Sequence, residues 1–140
     1  MNSALDTNVL AANMYSEPSA GRVSAALQSL RMSGELLICG AVYAELAAGP
    51  GVTAPRLDQF LKAAGVQVDW TMDEAVWRSA GTAFGNYAAR RRTSGGGTPR
   101  RVLADFLIGA HAAARRARLV TLDAAYYEAY FREGEVVIPA

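Results

Sequence analysis

Cysteine, histidine and lysine are almost absent from this chain of 140 residues. Each occurs once, as Cys39, His111 and Lys62. A single cysteine excludes an internal disulfide, and without clustered cysteine or histidine the chain lacks the usual ligands of a zinc site. Cys39 lies in an apolar run, where a buried thiol is the ordinary state.

Long hydrophobic runs are also missing. The longest, residues 36–44, ends at Glu45 and is well short of the about 20 residues that a membrane-spanning helix needs. The first residues show neither the basic cluster nor the apolar segment of a signal peptide. With 51% hydrophobic and 19% charged residues, the composition is that of a globule. We expect one cytoplasmic domain, residues 1–140, that does not bind a membrane.

Positive charge is unevenly distributed, although the net charge is only +1. The segment 85–118 contains eight arginines and one acid, which gives it a charge of +7 and leaves −6 for the remainder. This asymmetry is typical of polyanion binding, because arginine can contact phosphate through two parallel hydrogen bonds. Solvated helix faces and a surface loop are the alternative explanation. The candidate phosphate contacts are Arg90, Arg91, Arg92, Arg100 and Arg101.

Short apolar segments alternate with segments of helical periodicity. This alternation predicts an α/β fold with a parallel sheet and helices on both faces, since parallel strands require crossover connections. The predicted strands are Met1–Leu5, Glu35–Cys39, Val66–Val68, Arg118–Thr121 and Val136–Ile138. The predicted helices are Val9–Tyr15, Ser19–Met32 with Ser19 as N-cap, Ala41–Ala48, Ala54–Ala64, Asp73–Arg91, Val102–Arg116 and Ala124–Phe131.

Four acids stand where a solvated charge is not the simplest explanation. Asp6 and Asp123 each come directly after a predicted strand, where open α/β folds build their sites. Glu45 is the only charged residue in segment 36–55, and Asp105 is the only acid in the basic segment. Taken singly, Asp105 could be a charge at a helix start, Asp123 an N-cap and Glu45 a surface residue. Together, they would repel one another unless a cation held them.

The residue types restrict the chemistry of such a site. Oxygen ligands favour Mg²⁺ or Mn²⁺ over zinc, and these ions support phosphodiester hydrolysis. His111 lies about 120° around its helix from Asp105 and is interpreted as a structural residue. No Gly-x-Ser-x-Gly motif supports a serine nucleophile. The Gly-rich segment Thr93–Pro99 is a loop without the Gly-Lys-Ser/Thr of a P-loop.

Four short motifs occur in a fixed order over nearly the whole chain. They are Asp6-Thr-Asn-Val-Leu10, Val42-Tyr-Ala-Glu-Leu46, Asp105-Phe-Leu-Ile-Gly-Ala-His-Ala112, and Leu119-Val-Thr-Leu-Asp123 followed by Tyr126-Tyr127. This combination resembles the PIN-domain family and, more narrowly, the VapC toxins of bacterial toxin–antitoxin pairs. The resemblance implies a Rossmann-like PIN fold, metal-dependent endoribonuclease activity, a cognate VapB-like antitoxin and a homodimer.

The resemblance also implies a set of site residues. Asp6 and Asp105 would be the leading ligands of Mg²⁺, with Mn²⁺ able to substitute. Glu45 and Asp123 would complete the set of catalytic acids, binding the ion as well or positioning the attacking water. The ligands or a water would be oriented from behind by Thr7, Asn8 and Thr121. The arginines of the basic segment would then hold the RNA backbone.

Two other functions compete with this hypothesis. A phosphoacceptor receiver domain is also an α/β fold with clustered acids, but it needs a lysine at a late strand end, and Lys62 lies inside a predicted helix. A non-catalytic PIN-like module that only binds RNA or protein is compatible with the sequence. Failure to bind Mg²⁺ or Mn²⁺ would favour that module.

Overall fold

The computed structural model describes residues 1–95, 101–131 and 134–140. In this part of the chain, five parallel strands form one sheet in the order β3-β2-β1-β4-β5. The predicted α/β fold with a parallel sheet is therefore confirmed. The strands are β1 (Ser3–Leu5), β2 (Leu36–Cys39), β3 (Val66–Asp69), β4 (Arg118–Val120) and β5 (Val136–Val137).

Seven helices flank the sheet within the same residues. No helix among them is long and apolar enough to span a bilayer. The helices are α1 (Thr7–Met14), α2 (Ala20–Arg31), α3 (Gly40–Ala47), α4 (Ala54–Ala64), α5 (Glu74–Thr93), α6 (Leu103–Ala114) and α7 (Ala124–Tyr130).

The local sequence explains most of the helix boundaries. Thr53 and Asp73 accept hydrogen bonds from the free amides of the first turns of α4 and α5, as capping residues should. Gly65 ends α4 in the left-handed conformation that glycine adopts without strain. Ser19 occupies the N-cap position of α2, as predicted. Its side chain makes no capping hydrogen bond, because its backbone is already helical, with φ −80° and ψ −5°.

The strand order places a topological switch at the centre of the sheet. From β1 the chain moves outward to β2 and β3, then returns to the other side of β1 to form β4 and β5. Ligands in such folds bind beyond the carboxyl ends of the strands where the direction reverses, here β1 and β4. Because Leu5 pairs with Val120, the residues that follow them, Asp6 and Thr121, lie at the same level of this edge.

A polar cluster lies beside α6, which is mostly buried and carries Asp105 in its first turn. His111 Nε2 lies 2.9 Å from Asp69 Oδ2, and Arg115 Nε donates to the same oxygen at 2.6 Å. A second nitrogen of Arg115 donates to the carbonyl of Thr71 at 2.8 Å. These contacts fasten α6 to the end of β3. His111 is 1% exposed, which agrees with the structural role predicted for it.

We expect Asp69→Asn to lower the free energy of unfolding at pH 7. Although burial alone would raise it, hydrogen bonds from His111 and Arg115 lower the pKa of Asp69 to about 2. A carboxyl with a lowered pKa stabilises the fold above its unfolded pKa, and this stability is lost as the pH falls through the folded value. The loss at pH 7 should be about 2 kcal/mol, shrinking between about pH 4 and pH 2.

Urea unfolding of both proteins across that pH range measures the difference. Glu74→Gln is the matched control, because its ion pair with Arg78 has side chains 81% and 76% exposed. Exposed pairs of this kind contribute little to stability. A pH-independent loss in Asp69→Asn would contradict the assigned role of the carboxylate charge.

Candidate active site

A second polar cluster lies at the carboxyl ends of β1 and β4, and Asp6 is at its centre. It follows β1, caps α1 and is only 6% exposed. One carboxylate oxygen accepts the Thr7 amide at 2.7 Å, and the other accepts the Thr121 hydroxyl at 2.7 Å. The Tyr127 hydroxyl is a third hydrogen-bond partner. The carboxylate is therefore held in one orientation.

The electrostatics of Asp6 are unfavourable without a cation. Burial raises the pKa of its carboxyl above the ordinary value, and the negative charge of Asp105 raises it further. The hydrogen bonds from Thr121, Thr7 and Tyr127 offset only part of this effect. A nearby positive charge would favour the ionised form of Asp6.

Asp105 approaches from the first turn of α6. One of its oxygens accepts the Val102 amide at 3.2 Å, so it satisfies a free amide at the helix start. The carboxylate is half-buried, and its charge acts on Asp6, Tyr126 and Tyr127. Asp105 is therefore a helix-start residue whose charge also reaches Asp6.

Glu45 is joined to Asp6 through Thr7. The Thr7 hydroxyl donates to Glu45 Oε1 at 2.6 Å, while its amide donates to Asp6. Glu45 lies on α3 and is exposed. Thr7 therefore fixes the relative position of two of the predicted acids.

Asn8 and Thr121 connect the start of α1 to the segment that follows β4. Asn8 accepts the Leu122 amide at 3.1 Å, and its amide nitrogen lies 3.5 Å from the Thr121 hydroxyl. The Thr121 hydroxyl accepts the Asp123 amide at 3.0 Å and donates to Asp6. The three predicted orienting residues are thus all in the hydrogen-bond network of Asp6.

Asp123 belongs to this network through its backbone, but its side chain contacts a cation. Asp123 Oδ2 lies 2.6 Å from a guanidinium nitrogen of Arg101. The Arg101 guanidinium lies over the ring of Tyr126, 4.4 Å from the centroid. The fourth acid is therefore neutralised within the protein.

Comparison with known proteins decides the family. The model of the PIN domain matches residues 4–132. The chain belongs to the PIN domain family. No curated protein sequence gives a significant match to it.

Several solved structures have the same fold. A chain of VapBC2 from Rickettsia felis bound to a promoter DNA fragment is 19% identical, with 99% of this chain and 98% of that one covered and a TM-score of 0.66. FitAcB from Neisseria gonorrhoeae is 22% identical, with coverages of 98% and 97% and a TM-score of 0.65. A toxin–antitoxin complex from Klebsiella pneumoniae is 17% identical, with coverages of 99% and 98% and a TM-score of 0.61. At these identities the likeness concerns the fold.

The donor set of this PIN domain fits a hard cation held by few protein ligands. As the side chains stand, the described residues contain no group of three or more His, Cys, Asp or Glu that could hold a metal ion. Mg²⁺ commonly binds one or two carboxylates and several waters. Asp6 and Asp105 can provide the carboxylates. The Tyr126 hydroxyl, affected by the charges of both acids, is buried without a hydrogen-bond partner among the described residues. An added water could satisfy it.

The predicted arginines of the PIN domain fall into two groups. Arg90 lies over the ring of Tyr130 at 5.6 Å and Arg91 over that of Tyr87 at 5.8 Å, so both join Arg101 on one aromatic cluster. This cluster comprises Phe84, Tyr87, Phe106, Tyr126 and Tyr130. Arg92 is exposed near the end of α5. Arg100 and most of the Gly-rich segment lie outside the described residues.

Three tyrosines contact the site without a role predicted from the sequence, although Tyr126 and Tyr127 belong to the fourth motif. Tyr127 donates to Asp6, Tyr126 packs under Arg101, and the Tyr87 hydroxyl accepts the Arg101 amide at 2.6 Å. The pair Tyr126-Tyr127 follows Asp123 by less than one helical turn, so a helix starting at the strand exit would have placed it near the acids. Nothing in the sequence connects Tyr87 to this edge.

We expect Asp6→Asn to raise the melting temperature at pH 7 by a few degrees. A carboxyl whose folded pKa is raised loses stability when it ionises, and the neutral amide avoids that cost. The difference in melting temperature between Asp6→Asn and the unmodified protein should become smaller as the pH falls and the Asp6 carboxyl takes up a proton. Mg²⁺ should raise the melting temperature of the unmodified protein and leave that of Asp6→Asn unchanged.

Thermal unfolding with and without Mg²⁺ measures both effects. Glu128→Gln, at an exposed position on α7, is the control and should behave like the unmodified protein. A lower melting temperature for Asp6→Asn at every pH would show that the hydrogen bonds of the ionised carboxylate outweigh its burial.

Proposed function

We propose that this PIN domain is a metal-dependent endoribonuclease that acts as the toxin of a toxin–antitoxin pair. The observation that carries the proposal is the buried Asp6 carboxylate at the topological switch, oriented by three donors and destabilised by its burial and by Asp105. A protein gains nothing in stability from such an arrangement unless a cation binds there. Family membership supports nuclease chemistry at this place in the fold.

The roles follow from the contacts of each residue. Asp6 and Asp105 hold Mg²⁺, or Mn²⁺ in its place, which when bound lowers the pKa of water and stabilises charge on the phosphate oxygens. Hydrogen bonds from Thr121, Thr7 and Tyr127 favour the ionised form of Asp6 and fix its orientation. Glu45, fixed by Thr7, positions the attacking water, and Asp123, joined to Asp6 through Thr121, completes the acidic set. Asn8 holds the backbone after β4 in place.

The partners are proposed from the structural neighbours. Chains of this fold occur in VapBC and FitAcB and in a toxin–antitoxin complex. This PIN domain would likewise bind a cognate VapB-like antitoxin and form a homodimer. Its substrate would be RNA in the cytoplasm.

A non-catalytic PIN-like module that binds RNA or protein is the second candidate. The Arg101–Asp123 ion pair favours it to the extent that one of the four acids is already neutralised. The raised pKa of Asp6 favours the nuclease, because a module that only binds RNA has no need of a buried carboxylate in the field of a second one. Metal-dependent cutting separates the two.

Purified protein should cut a mixed RNA pool with Mg²⁺ or Mn²⁺ and not with excess chelator. Asp6→Asn and Asp105→Asn should each lower the rate by at least about 10³-fold, since each removes a ligand of the cation. Gel analysis of the products measures the rates, and circular dichroism checks the fold.

Glu128→Gln is again the matched control and should cut at the unmodified rate. Full activity in Asp6→Asn or Asp105→Asn would overturn the proposed site. Metal binding without cutting of any RNA would favour the non-catalytic module.

The arginines over the aromatic cluster should contribute to RNA affinity through phosphate contacts. Replacing Arg90 and Arg91 by alanine should weaken binding of single-stranded RNA and reduce the slope of log affinity against log salt by about 0.7 per lost contact. Fluorescence anisotropy of a labelled oligoribonucleotide, in chelator, measures the slope.

Arg78→Ala is the control, because Arg78 lies in the first half of the same helix and pairs with Glu74. An unchanged salt dependence in the double variant would show that the RNA backbone does not contact Arg90 and Arg91.

A further inference from the structure

Of the four acids of the site, Asp123 is the one whose side chain forms an ion pair within the described residues. Its contact with Arg101, at 2.6 Å, has the short distance of a charge-assisted hydrogen bond. The side chains of Arg101 and Asp123 are 21% and 39% exposed. The pair is therefore partly shielded from water and is not an ordinary surface ion pair.

Arg101 is fixed from three directions. Its backbone amide donates to the Tyr87 hydroxyl, and its guanidinium lies over the Tyr126 ring. A terminal nitrogen of the same guanidinium contacts the Asp123 carboxylate. Tyr126 is itself 7% exposed and packed edge-on against Phe106, at 87°. A guanidinium held this way loses little entropy when it binds a further group.

The position of Arg101 in the chain places its charge beside the metal-binding acids. It precedes Val102, whose amide is bound by Asp105. Burial would lower the pKa of Arg101, but the charges of Asp123 and Asp105 outweigh that effect and the pKa is raised. The guanidinium thus lies in the field of both carboxylates and stays charged at every relevant pH.

We propose that Asp123 is a positioning residue that holds Arg101 where its guanidinium contacts the RNA phosphate at the Asp6 and Asp105 site, and that Asp123 does not ligate the metal. This inference rests on the proposed function, which it refines. A guanidinium has five N–H donors, so the contact with Asp123 leaves others for a phosphate oxygen. Such a donor stabilises the charge that develops on phosphate during cleavage.

The chemistry of Asp123 argues against its being a direct ligand. Its Oδ2 accepts from a guanidinium at 2.6 Å, so a metal at the same oxygen would compete with that contact. Breaking the pair would leave the Arg101 guanidinium, with a side chain only 21% exposed, without its carboxylate, which is unfavourable. Asp6 and Asp105 form no ion pair within the described residues and are the better ligands.

The first test is metal affinity without RNA, measured by Mn²⁺ electron paramagnetic resonance. Asp123→Asn and Arg101→Lys should bind Mn²⁺ within about twofold of the unmodified protein, whereas Asp105→Asn should bind at least about tenfold more weakly. A loss in Asp123→Asn equal to that in Asp105→Asn would overturn the inference, because Asp123 would then be a ligand.

The second test is RNA affinity in excess chelator, with a labelled mixed-sequence oligoribonucleotide. Arg101→Ala and Asp123→Asn should each weaken binding, and the double variant should be no weaker than Arg101→Ala alone, since one interaction is lost in each case. Arg101→Lys should retain part of the affinity. Independent losses that multiply in the double variant would overturn the positioning role.

The third test separates this inference from the proposed function. If the protein cuts RNA, Arg101→Ala should lower kcat by about 10²-fold, while Arg90→Ala should affect mainly KM. If the protein does not cut RNA, the proposed function fails, and the metal and RNA affinities still decide whether Asp123 acts through Arg101. Circular dichroism of each variant verifies the fold.

Discussion

The hydrogen bond from the Thr121 hydroxyl to Asp6 connects the ends of two neighbouring strands that are 115 residues apart in sequence. It depends on the parallel register in which Leu5 pairs with Val120. The same hydroxyl accepts the Asp123 amide, so one threonine orients Asp6 and the turn into α7 together. A shift of β4 by one residue would turn Thr121 to the other face of the sheet and separate these groups.

The site concentrates negative charge and then compensates it by different means. Glu45 accepts a hydrogen bond from the Thr7 hydroxyl, and Asp105 accepts one from the Val102 amide. Asp123 is neutralised by Arg101. Within the described residues, Asp6 has hydrogen bonds but forms no ion pair, and burial and the charge of Asp105 raise its pKa. The place where charge is least compensated is therefore the natural position for a bound cation.

Much of this arrangement could be predicted from the sequence because it is local. A strand that ends at Asp6 or Thr121 is visible as a short apolar segment, and parallel strands bring their ends to one edge. The pairing of Asp123 with Arg101 could not be predicted in this way. Arg101, which directly precedes α6, reaches Asp123 only because that helix docks beside α7, and this docking depends on side-chain packing between segments that are distant in sequence. Ser19 shows the converse, since a residue type that favours capping makes no capping hydrogen bond when its backbone is helical.

The strand register has a consequence for synthesis of the protein. β1 is synthesised before the other strands, but one of the two strands that pair with it is β4. Ser3 pairs with Arg118, so the centre of the sheet cannot form until β4 has been made. A chain emerging from the ribosome, N-terminus first, contains Asp6 long before Asp105 and Thr121 exist. The cluster therefore cannot assemble on a growing chain until Thr121 and Asp123 have been made. A nuclease built on this topology would be inert beside its own messenger RNA until the residues that follow β4 have left the ribosome.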